Sequence, residues 1–137
     1  MNIRAQVRAI RTSDMDDLAQ YTPPDPKRFC VSVRAMVGPE AGKGEESFDI
    51  NVCTPEWLAE VCRAEGFVIG RHYLIVEQYD VAYLRRLITE LIQKCEGNSW
   101  RDVAEKVSRI GFWEFEDYRP TPGVAGRLAQ TQTRRRI

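Results

Sequence analysis

The sequence predicts an α+β fold: a mainly antiparallel sheet with an early β-hairpin, packed by about three helices on one face. Strand-like alternation dominates the first part of the chain, and amphipathic helical stretches separate the strands that follow, in the order β, β, β, α, β, α, α, β. The hairpin is the most specific of these signals. Residues 29–38 and 45–54 flank the Pro- and Gly-rich stretch PEAGKG. A symmetric register centred between Ala41 and Gly42 sets Val31 opposite Val52, Val33 opposite Ile50 and Ala35 opposite Phe48 on one face. On the other face Ser32 meets Asn51, Arg34 meets Asp49 and Cys30 meets Cys53. Both arms therefore agree about which side is core.

The remaining elements follow in chain order. Residues 3–11 alternate Ile3, Ala5, Val7 and Ala9 against Arg4, Gln6, Arg8 and Ile10, as a half-buried strand does. Residues 13–28 carry four acids and three prolines and read as a long loop with one helical turn near residues 15–19. Thr54 is placed to cap a helix that has Pro55 in its first turn and stops at Gly66. Trp57, Leu58, Val61 and Cys62 form the stripe expected to face the core. RHYLIVEQ (residues 71–78) has the apolar density of a buried strand. Asp80 caps a second helix over residues 81–95, with Val81, Leu84, Leu87 or Ile88, Leu91 and Cys95 inward and a stop at Gly97. Ser99, followed three residues later by Asp102, caps a third helix that buries Trp100, Val103, Ala104 and Val107 and ends near Gly111. The segment GFWEFEDYRP (residues 111–120) then gives a last strand over residues 113–118.

Composition narrows the function classes. With 43% apolar and 29% charged residues among 137, the chain has the balance of a soluble protein, and its apolar runs are too short to span a bilayer. The first residues, MNIRAQVRAIRTSD, lack the apolar core of a secretory signal, so a cytoplasmic location is expected. Cys30, Cys53, Cys62 and Cys95 show no C-x-x-C spacing and His72 is the only histidine, so neither a metal nor another cofactor is expected. In a reducing compartment the Cys30 and Cys53 pair should remain two thiols. Net charge is zero but unevenly placed. Residues 1–118 carry fifteen Lys and Arg against twenty Asp and Glu, a net of −5, while residues 119–137 carry five arginines and no acid. The first stretch is expected to be one domain and the second a basic, disordered tail.

Two residue sets could carry chemistry. In an extended segment 113–118, Trp113, Phe115 and Asp117 share one face and Glu114, Glu116 and Tyr118 the other. Glu114 and Glu116 would then lie roughly 6.5 to 7 Å apart, near the separation of an acid and a base that activate water, which leaves a small enzyme as one alternative. Such work needs one carboxyl of raised pKa, whereas glutamates on the wet side of a strand are screened alike, so a solvated strand face is the plainer reading. His72 alternates with Leu74 and Val76 and reads as a packed histidine. GPEAGKGEES fails as a P-loop because Gly44, not Ser or Thr, follows Lys43 and a strand follows the turn. Arg134, Arg135 and Arg136 could neutralise a few phosphates, a second alternative, but without stacking aromatics a solubilising tail is preferred over nucleic-acid binding.

Four segments together resemble the immunity protein 8 family: DPKRFCVSVRAMVGP (residues 25–39), GEESFDINVCTPEWL (44–58), GRHYLIVEQYD (70–80) and SWRDVAEKVSRIGFWEFEDY (99–118). The resemblance implies a non-enzymatic, cytosolic immunity protein of a bacterial polymorphic toxin system, binding its cognate toxin domain. The Arg-rich tail after Tyr118 departs from the family pattern. An acidic body would steer a basic toxin such as a nuclease, with carboxylates imitating phosphate. Toxin-binding candidates are Glu45, Glu46, Tyr79, Glu114, Glu116, Asp117 and Tyr118, with Tyr79, Phe112 and Tyr118 as aromatic anchors. An uncovered edge strand leaves pairing with a second copy open.

Overall fold

The computed structural model describes residues 2–14 and 16–115, and the expectations for residues 116–118 and for the basic tail lie outside them. Three long strands form the sheet's centre: β1 (Ile3–Thr12), β2 (Cys30–Pro39) and β3 (Glu46–Cys53). The β2–β3 hairpin has the register read from the sequence, including Val31 opposite Val52, Arg34 opposite Asp49 and Cys30 opposite Cys53. Val33, Ala35, Val37, Phe48, Ile50 and Val52 are fully buried. Burying such side chains contributes about 1.5–3 kcal/mol each for the larger ones, so this face is the main source of stability.

The strict alternation predicted for β1 breaks in the middle. Its register against β2 shifts between Val7 and Ala9, a β-bulge that sends Ile10 and Thr12 to the buried side with Ala5. Arg8 lies within the bulge, and its Nη2 donates to the carbonyls of Pro39 at 2.6 Å and Gly42 at 2.9 Å, tying the bulge to the β2–β3 turn. Gly38 leaves room for this arrangement, since a Cβ there would run into the Gly44 carbonyl oxygen and the Arg8 guanidinium.

The connection after β1 is held by a single 3-10 turn, Leu18–Gln20, slightly later than the sequence suggested, with Asp17 accepting from the Ala19 N–H. Helix α1 (Pro55–Glu65) begins and ends as predicted: the Thr54 hydroxyl caps it and Gly66 closes it at φ 94°. Its stripe does not reach the core. None of its residues is buried, Cys62 is exposed, and Trp57 instead stacks on Tyr73 at 6.3 Å. Helix α1 crosses to β4 (Tyr73–Ile75), which pairs parallel with residues 51–53 of β3. Strand β4 is shorter than the predicted 71–78 because His72 sits at φ 66° and cannot extend the strand backwards.

Helix α2 (Val81–Gln93) is capped by Asp80 and buries Leu84, Ile88 and Ile92. Its C-terminus comes before the predicted Cys95, because Glu96–Gly97 forms a further strand, β5, against Ile3 and Arg4 of β1. Helix α3 (Trp100–Val107) has the predicted Ser99 cap and buries Val103, Ala104 and Val107. Last comes β6 (Phe112–Trp113), antiparallel to Phe48 and Asp49. The sheet order is β4-β3-β2-β1-β5, with β6 beside β4 on the outer side of β3. Buried residues of α2 and α3 join those of the three central strands in one core.

Candidate interaction surface

The described candidates fall into separate places on the sheet. Glu45 and Glu46 stand beside the β2–β3 turn, and Glu114 directly follows Trp113, which pairs with Phe48 of β3. Glu45 and Glu114 are exposed, whereas Glu46 is half-buried. The Glu46 carboxylate accepts two indole N–H bonds, from Trp100 at 2.8 Å and Trp113 at 3.2 Å, through the same Oε1. One acid thereby ties the start of β3 to α3 and to β6. Trp113 is 4% exposed, stacks on Phe48 at 6.2 Å and carries Arg101 over its ring at 5.9 Å. Gly111 permits this docking, since a Cβ there would lie 2.9 Å from Ile50 Cγ1.

Strand β6 ends sooner than the sequence suggested. After Trp113 the chain turns, so Glu114 and Phe115 do not continue a strand, and Phe115 packs edge-on against Trp113 at 5.7 Å. Only two residues of the segment pair with β3, which leaves the remainder without a strand's repeat. The same-face argument for Glu114 and Glu116 therefore loses its premise at Glu114, and Glu116, Asp117 and Tyr118 lie outside the described residues. Glu114 is close enough to Arg34 to help hold that guanidinium protonated, although the larger cause is the hydrogen bonding of Arg34 to Asp49, at 2.8 and 3.0 Å. This bidentate pair was legible only as a cross-strand register match.

Tyr79 lies at the other end. Its hydroxyl donates to the Leu18 carbonyl at 3.0 Å, and its ring makes edge contacts with Tyr21 at 5.4 Å and Phe29 at 5.2 Å. Burial pushes its phenol up. Strand β2 begins just after Phe29 and ends at Pro39, so the span of that strand, roughly 30 Å, separates Tyr79 from Glu45 and Glu46 beside the turn. Phe112 is half-buried with the His72 ring edge-on to it at 5.8 Å, and His72 Nε2 lies 2.9 Å from the Ser108 carbonyl oxygen, which makes this histidine a packed one.

Sequence reasoning missed the exposed apolar residues of β4 and of the segment that leads into it from α1. Phe67, Ile69 and Ile75 are 66%, 63% and 53% exposed, and the available signal was an apolar run, FVIGRHYLIV, with neither strand nor helix period through residues 67–70. Among the described residues there is no group of three or more His, Cys, Asp or Glu arranged to hold a metal ion, and no helix is long and apolar enough to cross a membrane.

Comparison with curated proteins and with solved structures gave no match. The family model for immunity protein 8 matches residues 5–118, which takes in all six strands except the first residues of β1, and all three helices. The four quoted segments all lie within that span. The chain belongs to the immunity protein 8 family.

Proposed function

We propose that this immunity protein neutralises a toxin domain with a basic surface, and that it does so by covering that surface with the turn end of its sheet. Family membership supports the toxin-directed role. The observation that supports the surface is the gathering of carboxylates at one end. Glu40 and Glu45 flank the β2–β3 turn, and Glu114 follows Trp113, whose partner Phe48 lies two residues beyond Glu46, the first residue of β3. Glu116, Asp117 and Tyr118 come next after Phe115 in the sequence and extend the candidate set.

Glu46 has a different part in this reading. Its two indole bonds make it the brace that positions Glu45 and Glu114, not an open contact of its own. Tyr79 is likewise spent inside the fold and serves the loop before β2. The body's net charge of −5 through residue 118 would speed encounter with a basic partner and make affinity fall with salt. The mode of action is binding, with toxin activity lost because its surface is occluded.

The test is co-expression with the product of the neighbouring toxin gene. Growth rescue and a co-purifying complex are expected; a lack of both sinks the toxin-directed role. Glu45→Lys combined with Glu114→Lys should then weaken the complex and flatten its salt dependence. An unchanged affinity would move the contact elsewhere on the domain while leaving the immunity role intact.

A further inference from the structure

We propose that Cys30 and Cys53 form a cross-strand disulfide by exchange with a small-molecule disulfide, entering through Cys30. Both cysteines are free thiols and stand directly opposite each other in the β2–β3 register. The hydrogen-bond phase of the hairpin fixes their separation. The Thr54 N–H donates to the Phe29 carbonyl at 3.3 Å, so residues 29 and 54 are a hydrogen-bonded pair, and the adjacent pair, Cys30 and Cys53, is a non-hydrogen-bonded one. Opposed Cα atoms at such positions lie about 4.5 Å apart with their side chains close, inside the range a disulfide spans. No other pair among the four cysteines is brought into register by the sheet.

Access is one-sided. Cys53 is fully buried, while Cys30 is half-buried and lines an open groove of about 280 Å³ with Thr12, Ser13, Asp14, Asp16 and Tyr21. The Cys30 thiolate attacks one sulfur of R–S–S–R, forming a mixed disulfide and expelling one thiolate. Cys53 then attacks the Cys30 sulfur, closes the protein disulfide and expels the second. Two protein thiols lose two electrons and two protons, and the small disulfide takes them and departs as two R–SH.

The surroundings set the rate. Burial raises Cys30 to about 11 and Cys53 to about 12, the latter raised further by Cys30 itself, so thiolate is scarce at neutral pH. Oxidation should accelerate about tenfold per pH unit between pH 7 and pH 9. Among the described residues, the charged and titratable groups lining the same groove as Cys30 are Asp14, Asp16 and Tyr21 from the β1–β2 connection, with Cys53 opposite it on β3. With two carboxylates at the groove, a cationic disulfide should react faster than an anionic one, and salt should narrow the gap.

The experiment treats the full chain carrying Cys62→Ser, which removes the exposed thiol, with cystamine at pH 8.5, and maps the cysteines by mass spectrometry after alkylation. A linked Cys30–Cys53 peptide, alkylated Cys95, and a thermal midpoint raised by several degrees and restored by a phosphine are expected. Oxidised glutathione should give the same product more slowly at low salt. Cystamine held stably on Cys30 with Cys53 alkylated, or both cysteines alkylated after prolonged treatment, would overturn the proposal. Cys53→Ala should trap the mixed disulfide on Cys30. Cys30→Ser, the milder change, should abolish reaction at Cys53, and modification of Cys53 in that variant would overturn the assigned order of attack.

Discussion

The two sides of β3 are built in opposite ways. On one side all eight residues pair with β2; on the other, three pair with β4 and two with β6. The hairpin side is local in sequence and its core face is fully buried from Val33 to Val37 and from Phe48 to Val52. The outer side is assembled from segments that arrive from residues 73 and 112, in parallel and antiparallel directions, and it leaves Ile75 53% exposed. One strand can thus be rigidly specified along one edge and loosely completed along the other, and a partner surface is more readily built on the loosely completed edge and its ends.

The largest effect should come from breaking the hairpin side. Phe48→Ala removes a fully buried ring that stacks on Trp113, and a loss of about 3–5 kcal/mol is expected from chemical denaturation. Leu58→Ala, on a helix with no buried residue, should cost about 1 kcal/mol or less. Equal losses would mean that α1 contributes to the core as fully as the hairpin does.

Next in size is the brace between the two sides. Glu46→Ala strands the indole N–H groups of Trp100 and Trp113 and should cost about 1–3 kcal/mol. Glu46→Gln keeps an acceptor oxygen and should recover most of that loss. A failure of Gln to recover it would show that the negative charge of Glu46 matters more than the two hydrogen bonds.

The same contrast explains what could be read from the chain. The hairpin register, the Thr54, Asp80 and Ser99 caps and the Gly66 stop all follow from residues a few positions apart, and each was legible. The bulge in β1 was not, because it depends on Arg8 reaching the Pro39 and Gly42 carbonyls across the hairpin turn. The stripe on α1 misled, since amphipathic spacing shows that a face can be buried and not that the sheet has room for it. The candidate site behaved likewise: Glu114 comes beside β3 only because β6 returns to it, and Glu46 turns inward only because two tryptophans meet there.

Alkaline pH should weaken the fold through the cysteines at one end of the hairpin. Cys30 and Cys53 have folded pKa values of about 11 and about 12 against an ordinary 9, so the unfolded chain ionises first. Their contribution is complete below pH 9 and is lost as pH rises from 9 through 11 and 12. For the reduced protein this predicts a loss of at most ~1.4 kcal/mol per thiol for each pH unit from 9 up to its folded pKa, read from urea unfolding at pH 8 and pH 10. Cys30→Ala should lessen the slope, and an unaltered slope would assign it to Cys53 and to Tyr21 and Tyr79, whose phenols are also raised by burial.

The smallest effect on stability should come from the exposed residues that follow α1. Phe67→Ser with Ile69→Ser removes side chains that are 66% and 63% exposed, so unfolding should shift by no more than about 0.5 kcal/mol per site. A larger loss would mean that these side chains pack in solution and are less open than their exposure indicates. With stability preserved, toxin affinity becomes the informative measurement. Unchanged binding would confine the contact to the turn end with Glu45 and Glu114. Weaker binding would extend the interface to the segment between α1 and β4, where exposed apolar surface could supply the buried anchors that carboxylates alone do not.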